Sequence, residues 1–296
     1  MNVLVTGGTG FVGNILVNLL CARDDRVTVL TRRPERYRSA RAGVAYAGWP
    51  LDVSKFDAVV NLAGAGVLDR RWNDAYKAEL RASRVDLTRG LVEALAASTQ
   101  RPRVLVSASA VGYYGDRGEE LLAESAGPAD GFLAQLCVDW EAEASKATLH
   151  GVRVAIVRIG LVLGSHGGAL KQMTPIFKLG LGGPFGLGRA WFPWIHVNDL
   201  AALMIHALAN DGVSGPLNGA APGIVRNREY ARTFGRVLSR PAILPVPPIA
   251  LRLVLGEVAS VLTASQHTVP ERTLKSGFAF QFPELEPALR NLLHRR

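Results

Sequence analysis

Short apolar runs alternate along the chain with longer segments in which apolar residues recur every three or four positions. The runs have the length and the branched side chains of buried strands: 3–6, 26–31, 57–62, 103–107 and 152–158. The longer segments predict helices, of which the clearest lie at about 73–97 and 131–149. Strands that alternate with helices in this way predict an α/β protein built on a doubly wound, parallel sheet.

A glycine turn joins the first strand to the helix that follows it. Its glycines have separate functions, because one allows the tight turn, one lets the backbone approach a diphosphate, and one lets the helix pack close to the strand. The phosphates would bind free N–H groups at the helix N-terminus. This pattern favours a Rossmann dinucleotide site over a glycine-rich turn that binds nothing. Its predicted contact residues are Gly7, Thr9, Gly10, Phe11, Val12 and Gly13.

The end of the second strand indicates which dinucleotide is bound. A carboxylate there would accept hydrogen bonds from the ribose hydroxyls of NAD, whereas this chain has Thr31-Arg32-Arg33. A guanidinium can bind the 2′-phosphate of NADP through two parallel hydrogen bonds. We therefore predict NADP as the cofactor, with Arg32 and Arg33 as contacts. The alternative is a solvated basic loop.

The ends of three later strands would complete the cofactor site. Leu62, Ala63 and Gly64 close the strand at 57–62, and Ser107 closes the strand at 103–107. Arg158, at the end of the strand at 152–158, is predicted to reach the cofactor or a substrate anion, and the alternative is an ion pair. The alternative for Ser107 is a hydroxyl that satisfies the backbone at a strand terminus.

The chain has 296 residues, which is enough for one large domain or for a domain with an added lobe. We predict an NADP-binding Rossmann domain from residues 1–160 and 196–220, and a smaller substrate-binding lobe from residues 161–195 and 221–296. The glycine-rich segment 180–188 is expected to be a loop, because no strand precedes it. Asn198 is predicted to cap a helix.

Charge and cysteine content restrict the classes of partner. The formal net charge is +9, but the basic residues are interleaved with acids and no nucleic-acid motif is present, so we expect no specific nucleic-acid partner. No apolar run reaches the roughly 18 residues that span a bilayer, so we expect no membrane partner. Two cysteines, Cys21 and Cys137, favour a reduced cytoplasmic protein, and no cluster predicts a metal. The oligomeric state is left open.

The motifs of this chain resemble those of the extended short-chain dehydrogenase/reductase superfamily. The matching segments are TGGTGFVG at 6–13, NLAG at 61–64, SASAVGYYG at 107–115, RIGLVLG at 158–164 and HVNDLA at 196–201. Further segments resemble one atypical group, the YfcH-like epimerase family proteins, sometimes labelled cell-division inhibitors, whose C-terminal domain has no assigned function. These segments are DRRW at 69–72, FLAQLCVDWEAEA at 132–144, and the tail at 245–257 and 276–289. The resemblance implies NADP binding.

The chain departs from the superfamily at its catalytic pair. The parent enzymes carry Tyr-x-x-x-Lys on one helix face, where the lysine lowers the tyrosine pKa and the tyrosine exchanges a proton as hydride moves. The matching positions here hold Leu133 and Cys137. Ser109 matches the superfamily's catalytic serine or threonine, and Tyr113 is a candidate proton donor. For Ser109 the alternative is backbone satisfaction, and for Tyr113 it is packing.

Other polar residues near these positions have mainly structural interpretations. His196 and Asp199 match a motif that is mainly structural, and Glu124 and Asp116 are interpreted as solvated loop acids. We also expect a mostly apolar cleft beside the nicotinamide. Its predicted walls are Tyr113, Tyr114, Trp191 and Trp194, with Arg158 and Lys171 as anion contacts.

Three functions are compatible with this sequence. The first is an NADPH-dependent oxidoreductase or isomerase that acts on an unknown small molecule with an unusual acid such as Tyr113. The second is a non-catalytic NADP(H)-binding sensor or scaffold. The third and weakest is a nucleotide-sugar epimerase, because epimerisation at a sugar carbon needs the base that is missing here.

Overall fold

The computed structural model describes residues 1–37 and 43–293, and it has the predicted α/β architecture. Its strands are β1 Asn2–Thr6, β2 Arg26–Leu30, β3 Val44–Ala47, β4 Ala58–Asn61, β5 Val104–Ala110, β6 Leu121–Leu122, β7 Arg153–Ile159, β8 Leu161–Gly164, β9 Trp191–Phe192, β10 Trp194–His196, β11 Gly215–Gly219, β12 Val225–Arg226 and β13 His267–Thr268. Its helices are α1 Phe11–Cys21, α2 Asp74–Arg81, α3 Leu87–Ala97, α4 Phe132–Ser145, α5 Gly168–Lys178, α6 Val197–Ala209, α7 Asn227–Val237, α8 Pro248–Leu255, α9 Ala259–Thr263, α10 Glu271–Lys275 and α11 Leu285–Leu293.

Within the described ranges, seven parallel strands form the central sheet in the order β3-β2-β1-β4-β5-β7-β11. The order reverses between β1 and β4, so the connections leave these two strands in opposite directions and open a crevice at their carboxyl ends. The register places Thr6 beside Asn61, and Ser109 beside Arg158. The site residues predicted at strand ends therefore lie along one edge of the sheet.

Helices cover both faces of the sheet, as a parallel sheet requires. On one face α1 and α6 pack against the strands through buried side chains that include Leu16, Leu20, Leu200 and Met204. On the other face α3 and α4 contribute Leu91, Leu95 and Ala144, and the 3-10 turn after α4 contributes Ala147. The predicted doubly wound sheet is confirmed.

The two predicted helices form, each with a local departure from α-helical geometry. Residues 74–97 run as α2 and α3 joined by a π-helical turn, Ala82–Asp86. The Asn73 side chain accepts from the backbone N–H of Tyr76 at 2.8 Å and caps the start. Helix α4 ends at Ser145, and a 3-10 turn, Lys146–His150, continues to the end of the predicted segment.

The prediction that Asn198 caps a helix was wrong by two residues. His196 is the N-cap of α6, and its Nδ1 accepts from the backbone N–H of Asn198 at 3.1 Å. His196 has the extended backbone of a cap, while Asn198 already lies in the first helical turn. The His196 ring also stacks on Phe282 at 4.0 Å between centroids.

A second hydrophobic cluster lies outside the central sheet. It is formed by α5, α7, α11 and the strands β8 to β10, with Phe177, Trp194, Tyr230, Phe234 and Leu289 at its centre. The segment before α11 is attached to α6, which packs on the sheet. The carboxylate of Asp199 on α6 accepts from the backbone N–H groups of Gln281 and Phe282 at 2.8 and 2.9 Å. The division into two domains stays a prediction.

No helix of the described ranges is long and apolar enough to span a bilayer.

Glu124 is a structural anchor, which corrects its interpretation as a solvated loop acid. It is only 3% exposed, and its carboxylate accepts from the backbone N–H groups of Asn218, Arg272 and Thr273 at 3.0, 3.0 and 3.2 Å. The carboxylate thus ties the start of α10 to β11. Asp116 is exposed as expected, although it accepts from the backbone N–H of Ser265 at 3.1 Å.

We expect Glu124→Gln to lower the free energy of unfolding by about 2 kcal/mol, because charge-assisted hydrogen bonds to three backbone donors are weakened in a buried site. Urea denaturation measures this change. Glu120→Gln is the matched control, since Glu120 is a surface carboxylate paired with Arg117, and we expect a change below about 0.5 kcal/mol. Equal stability of the two variants would contradict the anchoring role.

Candidate functional site

The glycine turn has the conformation that close approach of a ligand requires. Gly7 has φ +70°, and a β-carbon there would lie 2.7 Å from the carbonyl carbon of Leu62. A β-carbon on Gly13 would overlap the carbonyl oxygen of Gly7. Helix α1 therefore packs directly on the turn, and the turn packs directly on the end of β4.

The start of α1 is open to an anion. Gly10 is the N-cap and supplies no side-chain acceptor, and the first turn carries no acidic residue. The N–H groups of Phe11, Val12 and Gly13 belong to the first turn, where a helix has no internal acceptors. Together with the positive end of the helix dipole, they form a site suited to a diphosphate.

The Phe11 ring connects this helix start to a turn in the outer cluster. A β-carbon on Gly164 or Gly167 would overlap the ring, and one on Gly168 would lie 3.2 Å from it. The turn 164–168, between β8 and α5, therefore fits around Phe11 only because glycine occupies these positions.

A chain of buried hydrogen bonds fixes the strand ends beside the turn. The Thr6 hydroxyl donates to the Asn61 side-chain oxygen at 2.7 Å and accepts from the backbone N–H groups of Leu62 and Ala63 at 3.1 Å each. The Asn61 amide donates to the Thr88 hydroxyl at 2.8 Å and to the Ser107 hydroxyl at 3.4 Å. The predicted contact segment Leu62-Ala63-Gly64 is thus held at the crevice, while the Ser107 hydroxyl belongs to the buried network.

Arg32 and Arg33 follow the end of β2, and both are exposed. Within residues 1–37 and 43–293, no carboxylate forms an ion pair with either guanidinium. The two cations are therefore available to an anion that lies on the β2 side of the crevice. The residues of this edge fit a dinucleotide that carries a 2′-phosphate.

Arg158 lies in a buried ion pair rather than in an open site. Its Nε and Nη2 donate to the two carboxylate oxygens of Glu141, at 2.9 Å each, and its Nη1 donates to the Tyr114 hydroxyl at 3.0 Å. The side chain of Arg158 is 4% exposed. A fourth hydrogen bond, to the carbonyl oxygen of Glu124 at 3.2 Å, uses most of its donors. This geometry favours the ion-pair alternative for Arg158 over a cofactor contact.

Ser109 is part of the same network. Its hydroxyl is buried and donates to Oε1 of Glu141 at 2.6 Å. Glu141 was not among the predicted site residues, although it stands one helical turn after Cys137 on α4. The Ser109 proton is therefore directed at Glu141 and not at a ligand.

Tyr113 has a different environment from its neighbour Tyr114. The Tyr113 ring lies over the Arg158 guanidinium, 3.6 Å from Cζ to the ring centroid, and packs edge to face on Tyr114. It is half-buried, and no residue of the described ranges hydrogen-bonds its hydroxyl. Tyr114 is fully buried, and its hydroxyl donates to the Asn218 side chain at 2.8 Å.

The positions of the missing catalytic pair hold no acid or base. Leu133 is half-buried, 3.7 Å from the position that a β-carbon on Gly112 would take. Cys137 is 4% exposed. Burial, with a contribution from the Glu141 charge, raises the pKa of the Cys137 thiol to about 11. Leu133 has no ionisable group, and the Cys137 thiol is protonated at neutral pH, so neither side chain supplies a base.

The predicted walls of the cleft were partly wrong. Tyr114 and Trp194 have no exposed surface and belong to packed clusters, so they cannot line an open cleft. Trp191 stacks on His267 at 3.8 Å between centroids and donates from its indole N–H to Glu119 at 3.0 Å. Of the aromatic set, Tyr113 alone stands in the network at the carboxyl edge with its hydroxyl unbonded among the described residues.

Metal binding has no structural support in the described part of the chain, where no three His, Cys, Asp or Glu residues come together in a group that could hold an ion.

Comparisons with known proteins cover the whole chain. A profile of the NAD dependent epimerase/dehydratase family matches residues 3–218, and a profile described as a domain of unknown function (DUF1731) matches residues 246–292. The epimerase family protein SDR39U1 homolog of Arabidopsis thaliana, described as chloroplastic, is 41% identical over 99% of this chain and 87% of that protein. SDR39U1 of Bos taurus is 42% identical over 99% of this chain and 100% of that protein.

Among solved structures, the crystal structure of human epimerase family protein SDR39U1 (isoform 2) with NADPH is similar over 100% of both chains. The TM-score is 0.90, and 38% of the residues are identical.

We expect Cys137 to be chemically inert in the folded protein. A thiol with a pKa of about 11 is ionised to only about one part in a thousand at pH 8, and burial excludes reagents. Labelling of a Cys21→Ser variant with a thiol reagent at pH 8 should proceed no faster than global unfolding. The same variant in concentrated urea provides the rate of an accessible thiol. Native labelling at that rate would show that Cys137 is exposed.

Proposed function

We propose that this chain, which belongs to the NAD dependent epimerase/dehydratase family, binds NADP(H) and acts as an oxidoreductase or isomerase on a small molecule. The observation that carries the proposal is the edge of the sheet at which the open start of α1 and two exposed guanidinium groups flank the same crevice. These groups, of Arg32 and Arg33, form no ion pair with any carboxylate of the described residues. The crystal structure of human SDR39U1 with NADPH supports the choice of cofactor.

The chain's own residues divide the binding of the cofactor between them. The N–H groups at the start of α1 would bind the diphosphate, and Gly7 and Gly13 allow the backbone to approach it. Arg32 and Arg33 would bind the 2′-phosphate on the β2 side. The segment Leu62-Ala63-Gly64, held by Thr6, would contact the half that extends over β4.

Bound NADPH supplies a hydride to an electrophilic carbon. Reduction of a carbonyl group then needs one proton on the carbonyl oxygen, so that hydride and proton together yield the alcohol. Tyr113 is the proposed donor, since its hydroxyl is unbonded within the described residues and lies in the turn that follows β5. Ser109 would act indirectly: it donates to the Glu141 carboxylate, which holds the Arg158 guanidinium under the Tyr113 ring.

A non-catalytic NADP(H) sensor or scaffold is the second candidate. The observation in its favour is that half-buried Leu133 and buried Cys137 stand at the positions of the superfamily's tyrosine and lysine. A nucleotide-sugar epimerase is the weakest candidate, since proton removal at a sugar carbon would need a base that neither residue supplies. Turnover of NADPH with a carbonyl substrate separates the first candidate from the second.

The remaining proposals concern partners and compartment. We propose an unidentified small-molecule substrate, and no specific nucleic-acid or membrane partner. A content of only two cysteines, Cys21 and Cys137, supports a reducing compartment such as the cytoplasm.

We expect NADPH to bind at least about tenfold more tightly than NADH, because a guanidinium–phosphate contact contributes about 1.5–3 kcal/mol. Titration calorimetry measures both affinities. Arg32→Asp should remove the preference, since a carboxylate repels the 2′-phosphate and accepts from ribose hydroxyls. Arg252→Asp, an exposed change on α8, is the control and should leave the preference intact. Equal affinities of the unaltered protein for the two cofactors would refute the assignment.

Tyr113→Phe should abolish carbonyl reduction, with kcat lowered about 100-fold or more, and leave NADPH affinity unchanged. The measurement uses NADPH deuterated at C4 and a panel of small aldehydes, ketones and quinones, with transfer of the label followed by mass spectrometry. Tyr46→Phe, on the edge strand β3, is the matched control and should retain full activity. Label transfer that is undiminished in Tyr113→Phe would exclude Tyr113 as the donor. Tight NADPH binding with no transfer to any compound would favour the sensor.

A further inference from the structure

Arg84 lies against the end of β4, where sequence patterns gave no sign of it. It belongs to the π-helical turn Ala82–Asp86. A β-carbon on Gly64 would lie 2.9 Å from Cζ of Arg84 and 3.0 Å from its Nη2. The guanidinium is therefore in direct contact with the backbone of the segment that we assign to the cofactor site.

The Arg84 guanidinium has protein acceptors but no counter-charge. Its Nη2 donates to the carbonyl oxygen of Ala65 at 2.8 Å, and its Nη1 donates to the carbonyl oxygen of Leu80 at 3.3 Å and to the Ser83 hydroxyl at 3.5 Å. These three bonds leave two of its five N–H donors, the one on Nε and one on Nη2. Among residues 1–37 and 43–293, no carboxylate forms an ion pair with it.

The ionisable groups that interact electrostatically with Arg84 are neutral at pH 7. They are the Tyr76 hydroxyl, whose pKa burial raises above its usual value, and the Cys137 thiol, whose pKa burial raises to about 11. The Trp140 ring lies 5.4 Å from Cζ and offers its π-face. Partial burial lowers the pKa of Arg84 itself, which reflects the cost of desolvating an unpaired charge. Cations removed from water in folded proteins normally have an anionic or strongly accepting partner.

The topology of the sheet indicates which ligand atoms would face Arg84. A dinucleotide in a doubly wound sheet crosses the switch point, which here lies between β1 and β4. Arg32 and Arg33 stand after the end of β2, on one side of this point, where they would bind the half that carries the 2′-phosphate. Gly64 and Arg84 stand beyond the end of β4, on the other side, where they would face the half that carries the nicotinamide.

We propose that Arg84 is a cofactor-binding residue that donates hydrogen bonds to ribose or phosphate oxygens in the nicotinamide half of NADP(H). The inference rests on the proposed function. The cation comes from the π-helical turn before α3 and acts beside Cys137, which occupies the lysine position of the superfamily on α4. The chain thus supplies a positive charge at this end of the site from a different helix.

The test separates the two halves of the cofactor. Titration calorimetry is run with NADPH and with adenosine 2′,5′-bisphosphate, which represents the 2′-phosphate half alone. Arg84→Met should bind NADPH about tenfold or more weakly and bind the bisphosphate within twofold of the unaltered protein. Arg32→Asp should weaken both ligands. Arg81→Met, an exposed change one turn earlier that breaks only the surface pair with Asp139, is the control and should alter neither affinity.

The outcomes distinguish this proposal from the proposed function. If the unaltered protein does not bind NADPH, both fail. If it binds NADPH and Arg84→Met binds NADPH equally well, only the role of Arg84 is overturned. Equal weakening of both ligands by Arg84→Met overturns it too, because that result indicates a general disturbance of the turn. If Arg84→Met does not fold, Arg84→Lys is compared with the same two ligands, and it should weaken NADPH alone because a lysine cannot reproduce the planar set of donors.

Discussion

The ion pair between Arg158 and Glu141 is the contact on which the carboxyl edge of the sheet depends. It joins the end of β7 to α4 through two hydrogen bonds of 2.9 Å. The hydroxyl of Ser109 on β5 donates a third hydrogen bond to the same carboxylate. Buried charges are tolerated only when their donors and acceptors are satisfied, so this pair fixes the positions of its neighbours. The tyrosines that follow β5 are held by it, one by a hydrogen bond and the other by stacking. Loss of either partner would leave an unpaired charge beside the crevice, at a cost of about 3–5 kcal/mol.

The fold was predictable because its determinants are local in sequence. Apolar runs marked the strands, helical periodicity marked α2 to α4, and the glycine turn at 7–13 marked the junction of β1 and α1. One error arose because the interacting residues are distant along the chain. The sequence around Glu124 is that of a loop, and one of its backbone donors, Arg272 at the start of α10, lies 148 residues later. The cap of α6 was misplaced for a different reason. Asparagine is a frequent capping residue and histidine is not, yet it is the ring nitrogen of His196 that accepts from the backbone N–H of Asn198.

The candidate site was predictable for its glycines and less so for its side chains. A guanidinium at a strand end has the same sequence signal whether it binds a ligand or a buried carboxylate, so Arg158 could not be assigned without knowing where Glu141 lies. Arg84 carried no signal, since the residues of a π-helical turn have the composition of an ordinary helix. The π-helical geometry changes the directions of the side chains in this turn, and only the structure shows that the Arg84 guanidinium lies against Gly64. The absence of tyrosine and lysine at 133 and 137 was visible in the sequence. The residue that replaces the tyrosine as proton donor must come from another element, and the sequence does not show which elements meet at this site.

The fit of the Phe11 ring into the turn at 164–168 restricts how this protein can diverge. Ring and glycines occupy one space, so a side chain added at position 164 or 167 requires a smaller residue at position 11. Neither change is tolerated alone, because an enlarged turn would push the start of α1 away from β4, and a smaller residue at 11 would leave a cavity costing about 2 kcal/mol or more. Substitutions at these positions are therefore expected to arise as compensated pairs. Within a lineage, the glycine-rich helix start and the turn of the outer cluster then evolve as one unit, although more than 150 residues separate them along the chain.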